Sequence, residues 1–241
     1  MRRRWVKWAI AAGVVVVVLA VGVPFVYIHF IEGPAPAPLT LKPNSPTPDP
    51  SGTTGTGTGT GTGIGDSSLP GTWTTAAGSV VGYRVNEVLV GQNNVAVGRS
   101  SSVKGHLTIS GSTVTTATFT VQMATIHSDE SQRDAQFDGR IMDVATYPTG
   151  TFTLTHPIAL GSVPAVGTVK TYPATGNLAL HGHTRPVTFT LSAERTSSGI
   201  KVQGSIPIKF ADWDIPNPSF GSFVTTQNHG VLEFLLNFTK P

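Results

Sequence analysis

Between Ile200 and Phe210 every second position is apolar or glycine: Ile200, Val202, Gly204, Ile206, Ile208 and Phe210 alternate with Lys201, Gln203, Ser205 and Lys209. A helix would scatter these apolar side chains around its circumference, whereas a strand gathers them on one face, so the stretch is predicted as a long half-buried β-strand. The same period recurs where Phe119, Val121 and Met123 alternate with Thr118, Thr120 and Gln122. Further short runs are predicted as strands at 83–85, 104–109, 151–155, 176–180, 187–193 and 231–238. No strand followed by a long helix repeats, so the expectation is an antiparallel all-β domain, a sandwich or a closed barrel. One stretch departs from period two. Residues 128–144 place Phe137, Ile141 and Val144 on one side of a short helix, with Ser128 or Asp129 as its cap and Gly139 weakening it. A short helical segment over an edge or opening of the sheet is expected there. Its charges, including the Asp129 and Arg133 pair four apart, read as a mostly solvated face.

Ahead of this domain lie two segments of different texture. Residues 1–7 carry Arg2, Arg3, Arg4 and Lys7, and residues 8–31 form an apolar run without one Asp, Glu, Lys or Arg. Such a run is long enough to cross a hydrocarbon core of ~30 Å as a helix. Basic residues on the N-terminal side alone keep that end cytoplasmic, so the remainder is expected outside, on a single-pass cell-membrane anchor. The competing reading is a cleaved signal that leaves a secreted or periplasmic protein; the length of the run and Pro36 and Pro38 at the only plausible cleavage site weigh against it. Residues 32–71, rich in Pro, Thr, Gly and Ser, offer no apolar face and are expected to be a tether. The folded domain is expected over residues 72–241.

Charge and cysteine count exclude several functions. The chain carries a net charge of +3, yet from Pro70 onward eleven Lys and Arg face ten Asp and Glu, so the basicity belongs mainly to the N-terminal segment. A nucleic-acid partner is therefore not expected. With no cysteine, the domain must be held by core burial without disulfides, and no thiol nucleophile is available. No Gly-x-Ser-x-Gly elbow and no phosphate-binding glycine loop is present, and no catalytic residue is assigned. His181 and His183 flank a glycine but need a third ligand to hold a metal, so they are read as turn histidines. Asp212 and Asp214 beside Trp213 have a spacing that glycoside hydrolysis can use, but no groove of aromatics and acids accompanies them.

Two motifs in order carry a family resemblance. Arg133, Asp134, Tyr147, Pro148 and Phe152 lie in RDAQFDGRIMDVATYPTGTF, and Leu178, Leu180, Gly182, Thr184, Pro186, Val187, Phe189 and Leu191 lie in GNLALHGHTRPVTFTL. With the closing strands, they make residues 72–238 resemble the YceI-like, polyisoprenoid-binding family. The resemblance implies a lipocalin-like antiparallel barrel, an elongated apolar cavity for long isoprenoid chains, and no catalysis. It also implies a structural role for Arg133, Asp134, Tyr147, Pro148, Gly182 and Pro186. The chain departs from the family pattern around its first strand, at Ala76, Gly78, Ser79 and Asn86, and in the stretch Ala211 to Ile215. A different ligand head group is consistent with those departures.

The residues themselves point to a compatible mechanism. A barrel with a lumen lines it with one face of every strand. Phe119, Met123, Phe152, Phe189, Ile208, Phe210 and Phe234 supply such a face and are the candidate cavity-lining residues. The partners expected are a long-chain apolar lipid, an isoprenoid or a quinone, and the membrane through the N-terminal run. No cofactor or metal is called for. The same face also suits a solid core, in a domain that binds an envelope protein or polymer. Strand sequence leaves both readings open.

Overall fold

The structure is a computed structural model and describes residues 35–41, 69–89, 91–221 and 224–241. The expected basic tail, the apolar run at 8–31 and most of the linker lie outside these residues. Among the described residues no helix is long and apolar enough to cross a membrane.

Among the described residues twelve strands form one antiparallel sheet: β1 (Gly71–Thr75), β2 (Val80–Leu89), β3 (Gln92–Ser100), β4 (Val103–Ser110), β5 (Thr113–Gln122), β6 (Thr149–Leu154), β7 (Ile158–Ala159), β8 (Val169–Leu180), β9 (His183–Arg195), β10 (Ile200–Lys209), β11 (Val224–Thr226) and β12 (His229–Thr239). The pairing β1–β4–β5–β6–β8–β9–β10–β12 returns to β1, because Thr74 and Thr75 pair with Thr239 and Phe238. The sheet is therefore a closed barrel, which leaves these eight strands no free edge. β1 and β2 act as two halves of one bent strand, since β12 pairs with both. Between them Ser79 staples the bend: its hydroxyl donates to the Ala76 carbonyl at 2.8 Å and accepts the Asn237 amide at 3.0 Å. β3 and β4 follow the same bend on the other side, pairing with β2 and β1.

The antiparallel order gives the barrel two distinct ends. One gathers the β2–β3 tip, residues 123–148, the turn at His181 and Gly182, and residues 210–228. The other gathers the β4–β5 turn and residues 155–168, and carries Leu69, Ile109, Val114 and Ile158 as buried residues. Leu69 is tied beneath Trp73, whose indole N–H donates to the Leu69 carbonyl at 2.9 Å, so the core takes in a residue ahead of the expected boundary at Thr72.

Three local expectations are corrected. The helical segment is α1 (Ser131–Gln136) followed by a π-type turn at Phe137–Ile141, and Ser128 does not cap it. Instead the Ser128 amide and hydroxyl both donate to one carboxylate oxygen of Asp134, at 2.8 and 2.7 Å, which satisfies the carboxylate across the preceding loop. Met123 and Phe210 leave the strands and begin short 3-10 turns, Met123–Thr125 and Phe210–Trp213. Asp212 and Asp214 lie on this second turn and its left-handed end, and both are exposed. Arg133 is not on a solvated face: its side chain is only 17% exposed.

Candidate functional site

Inside the barrel lies a cavity of about 740 Å³. Phe119, Met123, Phe152, Phe189, Ile208, Phe210 and Phe234 all stand on its wall. Phe119, Phe152, Phe234, Val202 and Leu232 point inward yet are only partly buried, because their inner surface faces open space rather than packed neighbours. Phe189 meets Phe152 and Phe234 edge-on, with ring centroids 5.4 and 5.8 Å apart. These are the offset geometries that aromatic quadrupoles favour.

Two glycines explain how large rings leave room. Gly204 pairs with Phe234 across β10 and β12, and a Cβ at Gly204 would stand 2.5 Å from the Phe234 ring. Gly176 pairs with Leu154 and lies diagonal to Phe152, and a Cβ there would stand 2.4 Å from the Phe152 ring. Each phenyl lies down over a neighbouring strand where no side chain intervenes, so it thickens the wall without crossing the lumen. Sequence reasoning assigned no function to these glycines. Their signal, an inward-facing Gly opposite or diagonal to a Phe on the next strand, exists only once register is known.

The ends of the cavity differ. At one end the lining residues Leu69, Ile109, Val114, Ile158 and Tyr172 are buried, and the barrel is closed. At the other the lining includes Gln132, Gln136, Arg140 and Phe220, all exposed, and this end is the mouth. The helical segment lies across it. Phe137 stacks on Tyr83 with centroids 5.2 Å apart, and Arg140 donates to the carbonyls of Asn217 and Pro218, both at 3.1 Å. The two coverings of the mouth, residues 131–141 and 215–220, are thereby joined.

Polar groups concentrate at this rim. Arg133 donates to Asp129 and lies 3.4 Å from Glu87, whose carboxylate also accepts the Asn94 side-chain amide at 2.9 Å. Burial opposes the Arg133 charge, but Glu87 and Asp129 outweigh it and hold the guanidinium above its ordinary pKa. Burial likewise pushes the Tyr83 hydroxyl well above its ordinary value. The other motif residues sit at the same end. Asp134 fastens the loop before α1, and the Pro148 carbonyl accepts the Met123 amide at 2.9 Å. Tyr147 packs against His181 at 4.6 Å; the Trp213 carbonyl can only accept, so His181 Nδ1 donates to it at 3.0 Å. Gly182 completes the β8–β9 turn with positive φ, and Pro186 lies exposed on β9. Among the described residues no group of three His, Asp or Glu side chains is placed to hold a metal ion.

The YceI-like domain profile matches residues 73–238. Among solved structures, a polyisoprenoid binding domain from Saccharophagus degradans, described as implicated in plant cell wall breakdown, aligns with a TM-score of 0.58 at 18% identity, covering 70% of this chain and 98% of its own. BcnA from Burkholderia cenocepacia aligns with a TM-score of 0.51 at 18% identity, covering 66% of this chain and 95% of its own. At such identities the likeness is one of fold. No curated protein matches the chain.

Proposed function

The chain belongs to the YceI-like domain family, and on that premise we propose that its barrel holds an isoprenoid or other long-chain lipid, tail down the lumen and head at the mouth. YceI-like proteins are non-catalytic and take polyisoprenoid or related lipid ligands in a barrel. What supports the reading for this chain is a cavity of about 740 Å³ whose closed end is lined by apolar side chains and the Tyr172 ring, with the charged side chains at the rim. A hydrocarbon tail gains about 0.8 kcal/mol for each buried CH₂, so a long chain needs few polar contacts to bind well. At the rim an anionic head would meet Arg140, which is exposed and bonded to Gln136 and to the Asn217 and Pro218 carbonyls, rather than Arg133. Arg133 is already engaged by Glu87 and Asp129, and an anion would have to compete with both.

The proposal extends to place. The run at 8–31 anchors the chain, residues 1–7 stay cytoplasmic, and the barrel works outside against the same bilayer that supplies or receives its lipid. Cleavage of that run would instead give a secreted or periplasmic carrier. Solvent extraction of the detergent-free domain, residues 35–241, followed by mass spectrometry tests the binding. A reproducible stoichiometric long-chain species is expected. None, even after incubation with polyprenyl lipids or quinones, would overturn it in favour of a domain that binds an envelope protein or polymer.

A further inference from the structure

The outer wall of the barrel carries a second built feature, away from the lumen. On β12 Glu233 alternates with Leu232 and Phe234 and is bonded from the outer side by the Leu39 amide, yet its side chain is only 7% exposed. Arg84 of β2 donates to it from Nε at 2.5 Å, and Arg99 of β3 from Nη2 at 3.3 Å. Gly82 lies between Glu233 and Arg99 in register, and its missing side chain lets Arg99 reach across β2. A Cβ at Gly82 would stand 3.0 Å from Arg99 Cγ.

Over this cluster lies part of the proline-rich linker. Arg84 Nη2 donates to the Pro36 carbonyl at 2.6 Å, Arg99 Nη2 donates to the Ala37 carbonyl at 2.5 Å, and the Leu39 amide donates to Glu233 at 3.3 Å. An extended proline-rich stretch makes no internal hydrogen bonds, so its carbonyls are free to be taken by guanidinium groups. Within the stretch expected to be a tether, Pro36, Ala37 and Leu39 are thus bonded to the barrel wall.

We propose that residues 36–39 are a strap that seats the barrel on the membrane with its mouth toward the bilayer. The inference rests on the reading of residues 8–31 as the anchor. From Ile31 to Pro36 is five residues, which extend to about 18 Å at most. Arg84 stands five residues from Leu89 at the mouth end of β2, roughly 17 Å along the strand. The closed end lies down the rest of β2 and all of β1, on the order of 35–40 Å away. A barrel strapped at Arg84 can therefore set its mouth at the bilayer, whereas its closed end is out of reach. The mouth rim exposes Val88 and Phe220 toward that surface. The closed end exposes Val163 and Val166, which makes it the rival contact that chain length excludes. Lipid would then pass between bilayer and lumen without crossing bulk water.

The cysteine-free chain permits a direct test. Full-length protein carrying Thr225→Cys at the mouth or Ser112→Cys at the closed end is labelled with a donor fluorophore and reconstituted into liposomes holding an acceptor-labelled phospholipid. Transfer several-fold stronger from position 225 than from 112 is expected. Release of the strap, by Arg84→Ala with Arg99→Ala or by Leu39→Pro, which leaves the barrel sequence intact, is expected to bring both to one low value. Equal transfer from the two sites, or no change on release, overturns the proposal. Hydrogen exchange at the Leu39 amide and flotation of the liposomes separate the causes. An unprotected amide in floated protein refutes the strap; a protected amide in protein that fails to float refutes the anchor reading beneath it.

Discussion

Val202→Trp separates a hollow barrel from a solid one and measures how deep the ligand goes. Val202 points inward on β10 beside Ala193 and Leu236, two residues above the closed-end Ile200, and is only partly buried because its methyl groups face the cavity. In a packed core the added indole would cost about 1–3 kcal/mol of overpacking. For a domain of this size that is a fall of roughly 2–12 °C in Tm. In a hollow barrel the ring occupies open lumen and buries more apolar surface, so Tm is expected to hold or rise. Filling the last turn of the lumen displaces about five methylenes of a fully inserted tail, which at ~0.8 kcal/mol each is about 4 kcal/mol. Chains long enough to reach the closed end should bind about a thousandfold more weakly, and short chains should bind as before. Calorimetric melting together with titration of polyprenyl lipids of graded length measures both quantities. A Tm lowered by several degrees, with affinity falling equally at every length, would refute the reasoning.

Arg133→Met should lower stability by about 3 kcal/mol, since Glu87, 7% exposed, loses its ion-pair partner; urea denaturation reads this, and affinity for a neutral lipid should change far less. Raising the pH above about 10 should destabilise the domain, because Tyr83 ionises at its ordinary value only when unfolded while burial keeps it neutral when folded. Stability is thus fully present below pH 10 and lost above it, and Tyr83→Phe should reduce the slope of Tm against pH over that window. Gly182→Ala places an L side chain at φ +76° with its Cβ 2.6 Å from Tyr147 Cε1. About 1–2 kcal/mol for the left-handed backbone, with displacement of Tyr147 from His181, should lower Tm by several degrees while the Ala variant of exposed Gly139 does not.

Alternation made the long strands legible because one-sided burial writes period two directly into β10 and β12. β3 escaped because QNNVAVGRS opens on three polar residues at the β2–β3 tip, where its outer neighbours are loops rather than core. Met123 and Phe210 kept the apolar phase of their strands but not the strand backbone, and each turns over the mouth end, where a ladder has no further partner. The helical segment was visible through Phe137, Ile141 and Val144, whereas the partner of Arg133 was not, since Glu87 lies 46 residues away across the barrel mouth. The strap was least legible of all. Its bonds run to backbone carbonyls of Pro36 and Ala37, which every residue possesses, and nothing in PAPAPLTL marks them as acceptors.

The linker is therefore part of the barrel's construction at two separated points. Residues 36–39 bond to Arg84, Arg99 and Glu233 on the outer wall of β2, β3 and β12, and Leu69 packs at the closed end under Trp73. A carboxylate as enclosed as Glu233 is expensive unless its lone pairs are filled, and here two guanidinium groups and a linker amide fill them. An apolar lumen open at both ends would admit water along its whole length, and Leu69 is among the residues that deny one of those openings. If residues 8–31 anchor the chain as proposed, one stretch of chain would both help to shut one end of the lumen and turn the other toward the bilayer. A ligand that has only one apolar tail to insert needs that polarity.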